Sequence, residues 1–222
     1  GGPLYLYRLL AERPANALLK TLERQDNELP MDATLRSTLL APFNAFSQWL
    51  NEQANNELAA VTETFNHLSQ SGTCRVLPGP TGERNTYSLL PRGQVLCLAD
   101  NRHDILIQLA AVLAAGCQSL WPSSDIHQQI ARELPEQVRQ TIQFTKQWQD
   151  DPLAIEAVIH HGDSDQLRTV CQTIAQRKGP IISVQGFERG ETNLLLERLV
   201  HERSLSVNTA AAGGNASLMT IG

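Results

Sequence analysis

Histidines and carboxylates stand close together at one point of the sequence. His160 and His161 are followed by Asp163 and Asp165, residue types that bind metal ions or move protons. Neighbouring residues of a strand point to opposite faces of a sheet, so His160 and His161 are badly placed to share one ion. Asp163 has a simpler role as the N-cap of a following helix, with Gln166 completing a capping box. The pattern therefore favours separately placed histidines and a helix start over a metal or acid–base site.

Glycines offer a second chemistry, the binding of phosphate. The segment from Gly79 to Arg84 carries two glycines, but Pro80 has no amide to donate and Glu83 would repel the phosphate. The sequence contains neither G-x-G-x-x-G nor G-x-x-x-x-G-K-[ST], and it also lacks G-x-S-x-G and H-E-x-x-H. We interpret the segment as a structural turn, and no nucleophile, base and orienting group come together in the sequence.

The composition is that of a folded domain. The 222 residues, 24.5 kDa in mass, are enough for one large domain or two small ones. Hydrophobic residues make up 41% and charged residues 18% of the chain, which excludes a disordered chain and a coiled coil. A net charge of −5 argues against a nucleic-acid-binding surface. No apolar run reaches the ~18 residues that a membrane span needs.

The cysteines indicate the redox compartment of the protein, and the first residues indicate whether the chain is part of a longer one. No C-x-x-C pair occurs among the four cysteines, Cys74, Cys97, Cys117 and Cys171. This is typical of buried thiols in the cytosol rather than of a disulfide framework or a zinc site. The N-terminal residues Gly1 to Tyr5 include neither an initiator methionine nor a signal-peptide pattern. We therefore expect a fragment of a longer chain.

Apolar periodicity predicts helices in the first third of the chain. Apolar residues recur at steps of three and four from Leu35 to Leu68, which places them on one helix face. Pro42 is expected to kink this helix or to open a second one, and Gly72 to end it. A shorter helix is expected from about Pro14 to Glu28. We interpret the apolar face as packing surface.

Short apolar runs then alternate with helical patterns. Strands are predicted at 94–99 and 117–121, with a buried helix at 105–115 between them. The pattern repeats as a strand at 157–160, a helix with an apolar face, and a strand at 181–184; that face is formed by Leu167, Val170, Cys171 and Ile174. Strand–helix–strand units of this length build parallel sheets. Residues ~90 to ~185 are therefore predicted to form an open α/β domain.

The end of the chain is unusual because no side chain from Ser204 to Gly222 is ionisable. Leu205 and Val207 alternate with polar residues as in a strand. Gly213-Gly214 permits a chain reversal, and 216–221 could form a return strand. Chain termini are usually polar, so we expect this segment to be buried against its own domain or in the cleft of another.

Several stretches resemble one family. The segment 202–222 resembles the C-terminal motif of the proline utilisation A family, bacterial bifunctional enzymes that oxidise proline to glutamate. Segments 1–8, 77–86, 161–167 and 183–187 resemble other stretches of the same family, so the resemblance covers essentially the whole chain. In long-chain members this region is an additional C-terminal domain built like the nucleotide-binding half of an aldehyde dehydrogenase.

The resemblance also shows departures from a working aldehyde dehydrogenase. The segment 94–104 resembles the strand and loop that carry V-I-x-P-W-N-F-P, and Arg102 stands where the oxyanion-stabilising Asn would be. The segment 115–122 resembles A-G-N-x-V-V-x-K-P, and Trp121 replaces the Lys that would hold the ribose of the cofactor. An indole cannot supply a charged hydrogen bond to a ribose hydroxyl. The family's catalytic Cys and Glu lie in segments that this chain does not contain.

The resemblance implies an α/β fold, an aldehyde-dehydrogenase-like Rossmann-type open parallel sheet with a helical segment before it and a C-terminal β-flap after it. It divides the chain into 1–72 (the end of a catalytic module and a helical linker), 73–200 (the Rossmann-like domain without catalytic residues) and 201–222 (the flap). The domain would stabilise the semialdehyde dehydrogenase module of the same protein and seal the cavity that channels pyrroline-5-carboxylate. The implied interface residues are Asn208, Thr209, Gly213, Gly214, Asn215, Ser217, Leu218, Met219 and Ile221.

Cofactors and location follow from the same resemblance. No cofactor, metal or nucleic acid is expected on this chain, whereas the longer protein would hold FAD and NAD. That protein would be cytoplasmic, a possible homo-oligomer, and peripheral at the inner membrane when it reduces quinone. Two other functions remain open: an autonomous NAD-binding aldehyde-dehydrogenase-like domain, and a free-standing binding module.

Overall fold

A computed structural model describes residues 33–149 and 153–208. The predicted helix at 14–28 lies outside these residues. So do the resemblance's interface residues from Thr209 onward: Thr209, Gly213, Gly214, Asn215, Ser217, Leu218, Met219 and Ile221. Among the described helices, none is long and apolar enough to cross a membrane.

Two helices form the first layer. Helix α1 spans Ala33–Glu52 and α2 spans Asn56–Leu68. Pro42 lies inside α1, so the expectation that it opens a second helix was wrong, whereas the alternative of a kink at Pro42 stays a prediction. Phe43 and Phe46, 2% and 0% exposed, follow it, and their burial offsets the backbone hydrogen bond that proline cannot donate. The chain turns at Ala54 instead, which has a φ of 52°.

The second layer is a five-stranded parallel sheet with strand order β5-β4-β3-β6-β7. The strands are β3 (Gln94–Leu98), β4 (Gln118–Pro122), β5 (Ile142–Thr145), β6 (Ala157–His161) and β7 (Ser183–Phe187). The chain runs from β3 outward to β5 and then returns to place β6 beside β3. Doubly wound α/β proteins bind ligands where the strand order reverses in this way, at the carboxyl ends of the strands. The predicted α/β fold with an open parallel sheet is confirmed.

Four helices connect these strands: α3 (Arg102–Ala114), α4 (Asp125–Glu133), α5 (Glu136–Arg139) and α6 (Ser164–Ala175). Every residue of α3 from Asp104 to Ala114 is buried, since α3 packs against both the sheet and the α1–α2 layer. The predicted capping box at Asp163 and Gln166 is confirmed. Two details of the prediction were wrong: Cys171 is exposed, and β7 begins at Ser183 with Ile181 almost fully exposed.

A separate antiparallel sheet has the order β1-β2-β8. Strands β1 (Cys74–Leu77) and β2 (Glu83–Pro91) form a hairpin, and β8 (Val200–Asn208) pairs with β2 along its whole length. A short 3₁₀ helix, Leu196–Leu199, leads into β8. We call this sheet the ribbon. Strand β8 confirms the alternating pattern of Leu205 and Val207, whereas β1, β2 and β5 were not predicted from the sequence.

Candidate functional site

The carboxyl edge of the parallel sheet is the position where an α/β fold would bind a ligand. Asn101 caps α3 there, and its side chain accepts a hydrogen bond from the Asp104 amide at 3.0 Å. The Asp104 carboxylate, 1% exposed, accepts from Asn101 Nδ2 at 2.6 Å and from the Gly190 amide at 2.9 Å. The start of α3, where a bound phosphate would approach, therefore already holds a buried carboxylate of the chain itself.

Arginines at this edge form ion pairs with the chain's own acids. Arg102 donates to Glu133 at the end of α4, with 2.6 Å between Nη2 and Oε2. Arg189, in the loop after β7, pairs with Asp100 after β3. This pair and the bond from Gly190 to Asp104 tie that loop to the start of α3. Both guanidinium groups therefore bind carboxylates of the chain itself.

The two adjacent histidines have different surroundings on opposite sides of β6. His161 contacts Gln108 of α3, with 2.8 Å between Nδ1 and Nε2, and its Nε2 lies 2.9 Å from the carbonyl oxygen of Glu191. His160 packs beside Gly162 and the start of α6, and burial lowers its pKa. Within residues 33–149 and 153–208, no three His, Cys, Asp or Glu side chains could hold a metal ion.

Trp121, at the position where the resemblance places a lysine, is a core residue. Its side chain is 0% exposed. The indole contacts His127 of α4 and Phe144 of β5, with ring centroids 5.4 and 6.1 Å away and edge-to-face angles of 63° and 86°. The indole thus fills the space between the sheet and α4.

His127 is buried by the same packing. Its Nδ1 lies 2.7 Å from Ser124 Oγ, and the imidazole is 3% exposed. Burial disfavours the charged imidazolium and lowers the pKa of His127 to about 4. The neutral form is therefore the one that fits beside Trp121.

The ribbon presents apolar side chains to solvent on one of its faces. Val76, Thr86 and Leu205 lie opposite one another in the strand register, and Val207 lies on the same face because it is two residues beyond Leu205. Val76, Leu205 and Val207 are 55%, 45% and 44% exposed. We call these three residues the ribbon face. Asn208, the one interface residue of the resemblance that is described, ends β8 opposite Glu83.

The base of the ribbon is fixed to the parallel-sheet domain. Arg92, directly after β2, donates to the carbonyl oxygens of Arg198 at 2.8 Å and Glu156 at 3.2 Å. His201 of β8 lies 3.0 Å from the Glu156 carboxylate, and this contact lowers the pKa of Glu156. The ribbon therefore projects from an anchored base, and among the described strands the outer edge of β8 has no partner.

Comparison with known proteins identifies the relatives of the chain. No family model matches it. It is 60% identical over 222 residues to the bifunctional protein PutA of Salmonella typhimurium and 58% identical over 222 residues to that of Escherichia coli. The chain is homologous to a segment of PutA. It spans 17% of the length of these two relatives, and the resemblance stated from the sequence is confirmed.

A solved structure supports the fold. A crystal structure of a mutant of Bradyrhizobium japonicum proline utilization A (PutA) superposes with a TM-score of 0.53 at 16% identity, covering 78% of this chain and 21% of that one. At this level of identity the likeness concerns the fold alone. The division of the chain at residues 72 and 200 and the interface role of the tail stay predictions.

Sequence reasoning missed Val76 as a site residue, together with the hairpin that carries it. Val76 stands in the short strand Cys74–Leu77, which is followed by a Pro- and Gly-rich turn. The available signal was the alternation of Cys74 and Val76 with Arg75 before that turn. It was too short to distinguish a strand from an irregular loop.

We predict that His127 makes the stability of the protein depend on pH. The unfolded chain binds a proton at this residue near its ordinary pKa of 6.5, whereas the folded chain binds one only near pH 4. The stability is therefore fully present above pH ~6.5 and falls by roughly 3 kcal/mol as the pH drops toward 4. Urea unfolding at several pH values measures this.

The matched variants are His127→Phe and His67→Gln. His127→Phe keeps an aromatic ring beside Trp121 and is expected to flatten the slope between pH 6.5 and 4. His67, exposed on α2 in an ion pair with Glu63, serves as the control and is expected to leave the slope unchanged. Equal slopes for the wild type and His127→Phe would contradict the prediction.

Proposed function

We propose that the chain is a non-catalytic docking domain of a PutA-type enzyme that oxidises proline to glutamate. In this proposal it stabilises the L-glutamate γ-semialdehyde dehydrogenase module of the same protein. It also closes the cavity through which pyrroline-5-carboxylate passes between the two active sites. The observation that carries the proposal is the ribbon face, because Val76, Leu205 and Val207 are large apolar side chains left about half exposed on an anchored sheet.

Burial of the ribbon face gives the docking a driving force. Apolar surface gains about 25 cal/mol for each Å² removed from water, and the three side chains lie together on one face. The outer edge of β8, which pairs with no other described strand, can add backbone hydrogen bonds to a strand of the other module. A ribbon with this face and edge exposed would otherwise be prone to aggregation. In this proposal a second module of the same protein buries the ribbon face and pairs with the edge of β8.

The uncharged tail is proposed to continue this interface. It follows directly from β8 and contains small residues that allow close approach of two backbones. Leu218, Met219 and Ile221 are the proposed apolar anchors. The polar and small contacts are Asn208, Thr209, Gly213, Gly214, Asn215 and Ser217.

The surroundings of the carboxyl edge support the non-catalytic part of the proposal. A dinucleotide phosphate at the start of α3 would meet the Asp104 carboxylate, which is buried and already accepts two hydrogen bonds. Arg102 is paired with Glu133, and Trp121 belongs to the core. These residues do not fit a dinucleotide, so we assign FAD and NAD to other modules of the longer protein. The proposal includes a cytoplasmic location, peripheral attachment to the inner membrane during quinone reduction, and possible homo-oligomers.

Removal of 208–222 from the full-length protein should separate its two activities. The semialdehyde dehydrogenase step is expected to fall at least about tenfold, because a central docking segment of an interface is lost. Proline oxidation is expected to change by less than about twofold, since its active site lies in another module. NAD⁺ reduction with added semialdehyde and dye reduction with proline measure the two steps separately. Unimpaired semialdehyde oxidation after the deletion would count decisively against the proposal.

A charge on the ribbon face should have the same effect without shortening the chain. In Leu205→Lys an ammonium group replaces an apolar contact, and we expect the semialdehyde dehydrogenase activity to fall by about tenfold or more. Ser204→Lys places the same charge on the opposite face of β8 and is the matched control. Thermal unfolding checks that both variants fold. Equal loss of activity in the two variants would show that the ribbon face is not the docking surface.

A titration with NAD⁺ tests the alternative, an autonomous NAD-binding domain. Because Asp104 occupies the start of α3, we expect the 222-residue chain to show no saturable binding below about 0.1 mM NAD⁺ in calorimetry. An Asp104→Asn variant controls for charge repulsion alone and is expected to behave in the same way. Micromolar binding by the unmodified chain would establish the alternative instead.

A further inference from the structure

A groove lies between α4, α5 and the outer strand β5, and its residues belong neither to the ribbon face nor to the carboxyl edge described above. Its volume is about 390 Å³, and it is lined by Gln128, Ala131, Arg132, Arg139 and Phe144. This volume lies in the range of sites that hold small organic ligands, roughly 300–1,000 Å³.

Phe144 gives the groove a rigid aromatic wall. It is 42% exposed because β5 is the outer strand of the described sheet and nothing described lies beyond it. Its other side contacts the buried indole of Trp121 in an edge-to-face arrangement with 6.1 Å between the ring centroids. The phenyl ring is thereby held in place while much of its surface stays accessible, which suits the stacking of a flat ligand.

Two arginines stand at the rim of the same groove. Arg132 on α4 is exposed and has no ion-pair partner among the described residues. Arg139 on α5 shares its guanidinium with Glu136 in an exposed pair. In a chain whose net charge is −5, a guanidinium without an ion-pair partner in the described part of the chain, beside an exposed aromatic ring, favours the binding of an anion. Guanidinium groups bind phosphate and carboxylate groups through paired hydrogen bonds.

We propose that this groove binds a small anionic ligand that carries a planar ring. The ring stacks on Phe144 and the anionic group lies between Arg132 and Arg139. The Gln128 side chain, whose Nε2 is 3.5 Å from the Ser123 carbonyl oxygen, keeps its amide oxygen for a donor on the ring. Ala131 forms the floor, and its small side chain leaves the depth that a ring needs.

The test uses adenosine 5′-monophosphate (AMP) as the probe, because it combines a flat ring with a phosphate. Calorimetric titration of the full chain compares AMP with adenosine, which has the ring alone, and with ribose 5-phosphate, which has the charge alone. We expect saturable binding of AMP between about 0.1 and 1 mM and at least about tenfold weaker binding of each half. Ribose 5-phosphate binding as tightly as AMP would overturn the proposal, as would an absence of saturation by AMP.

Labelling with a photoreactive azido derivative of AMP, followed by peptide mass spectrometry, locates the site. We expect the label on peptides from α4 to β5, and a label confined to the carboxyl edge around Asp104 would overturn the proposal. Arg132→Gln and Phe144→Leu should each weaken AMP binding about fivefold or more. The control is Arg168→Gln, which removes an exposed arginine of α6 that is paired with Asp165 as Arg139 is with Glu136. An equal affinity in Arg132→Gln, Phe144→Leu and the control would also overturn it.

Discussion

The pairing of β2 with β8 is the interaction on which the proposed docking surface depends. It joins segments far apart in the sequence, so that Thr86 lies opposite Leu205, 119 residues later. Side chains alternate between the two faces of a strand, and a slip of one residue would move Leu205 and Val207 to the opposite face. The register therefore decides whether these residues lie on the same face as Val76.

Polar contacts at the base of the ribbon maintain this register. Tyr87 donates its hydroxyl proton to the Glu202 carboxylate at 2.7 Å. The Arg92 amide donates to the carbonyl oxygen of Leu199 at 2.9 Å, and Leu199 is 0% exposed. The Cys117 thiol, at the start of β4, lies 3.2 Å from the same oxygen. Because these contacts reach the buried core of the parallel-sheet domain, that domain serves as the rigid support of the ribbon.

The sequence predicted the elements whose stability is local or whose burial is complete. The apolar runs within β3 (Val95 to Leu98) and β6 (Ala157 to Ile159) are expected of strands covered on both faces. Asp163 with Gln166 forms a cap within one turn of helix. It did not predict β2, whose nine residues include charged and polar side chains and whose longest pairing is with β8, more than a hundred residues away. Sequence periodicity contains no information about such a partner. Pro42 shows the same limit, because the packing of Phe43 and Phe46 keeps α1 continuous.

The candidate site was likewise only partly predictable from the sequence. The replacement by Trp121 and the absence of a glycine-rich loop were visible in the sequence, but the filling of the carboxyl edge by Asp104 was not, because it depends on the amide of Gly190, 86 residues later. A carboxylate that is buried and bonded at a helix start is costly to displace, since removing its donors would leave the charge unsatisfied. Several bonds between two segments hold the carboxyl edge together. Asn101 and Gly190 both donate to the Asp104 carboxylate, and Arg189 pairs with Asp100. The edge is therefore tied together by internal bonds, and the proposed binding surfaces lie elsewhere, on the ribbon face and in the groove beside β5.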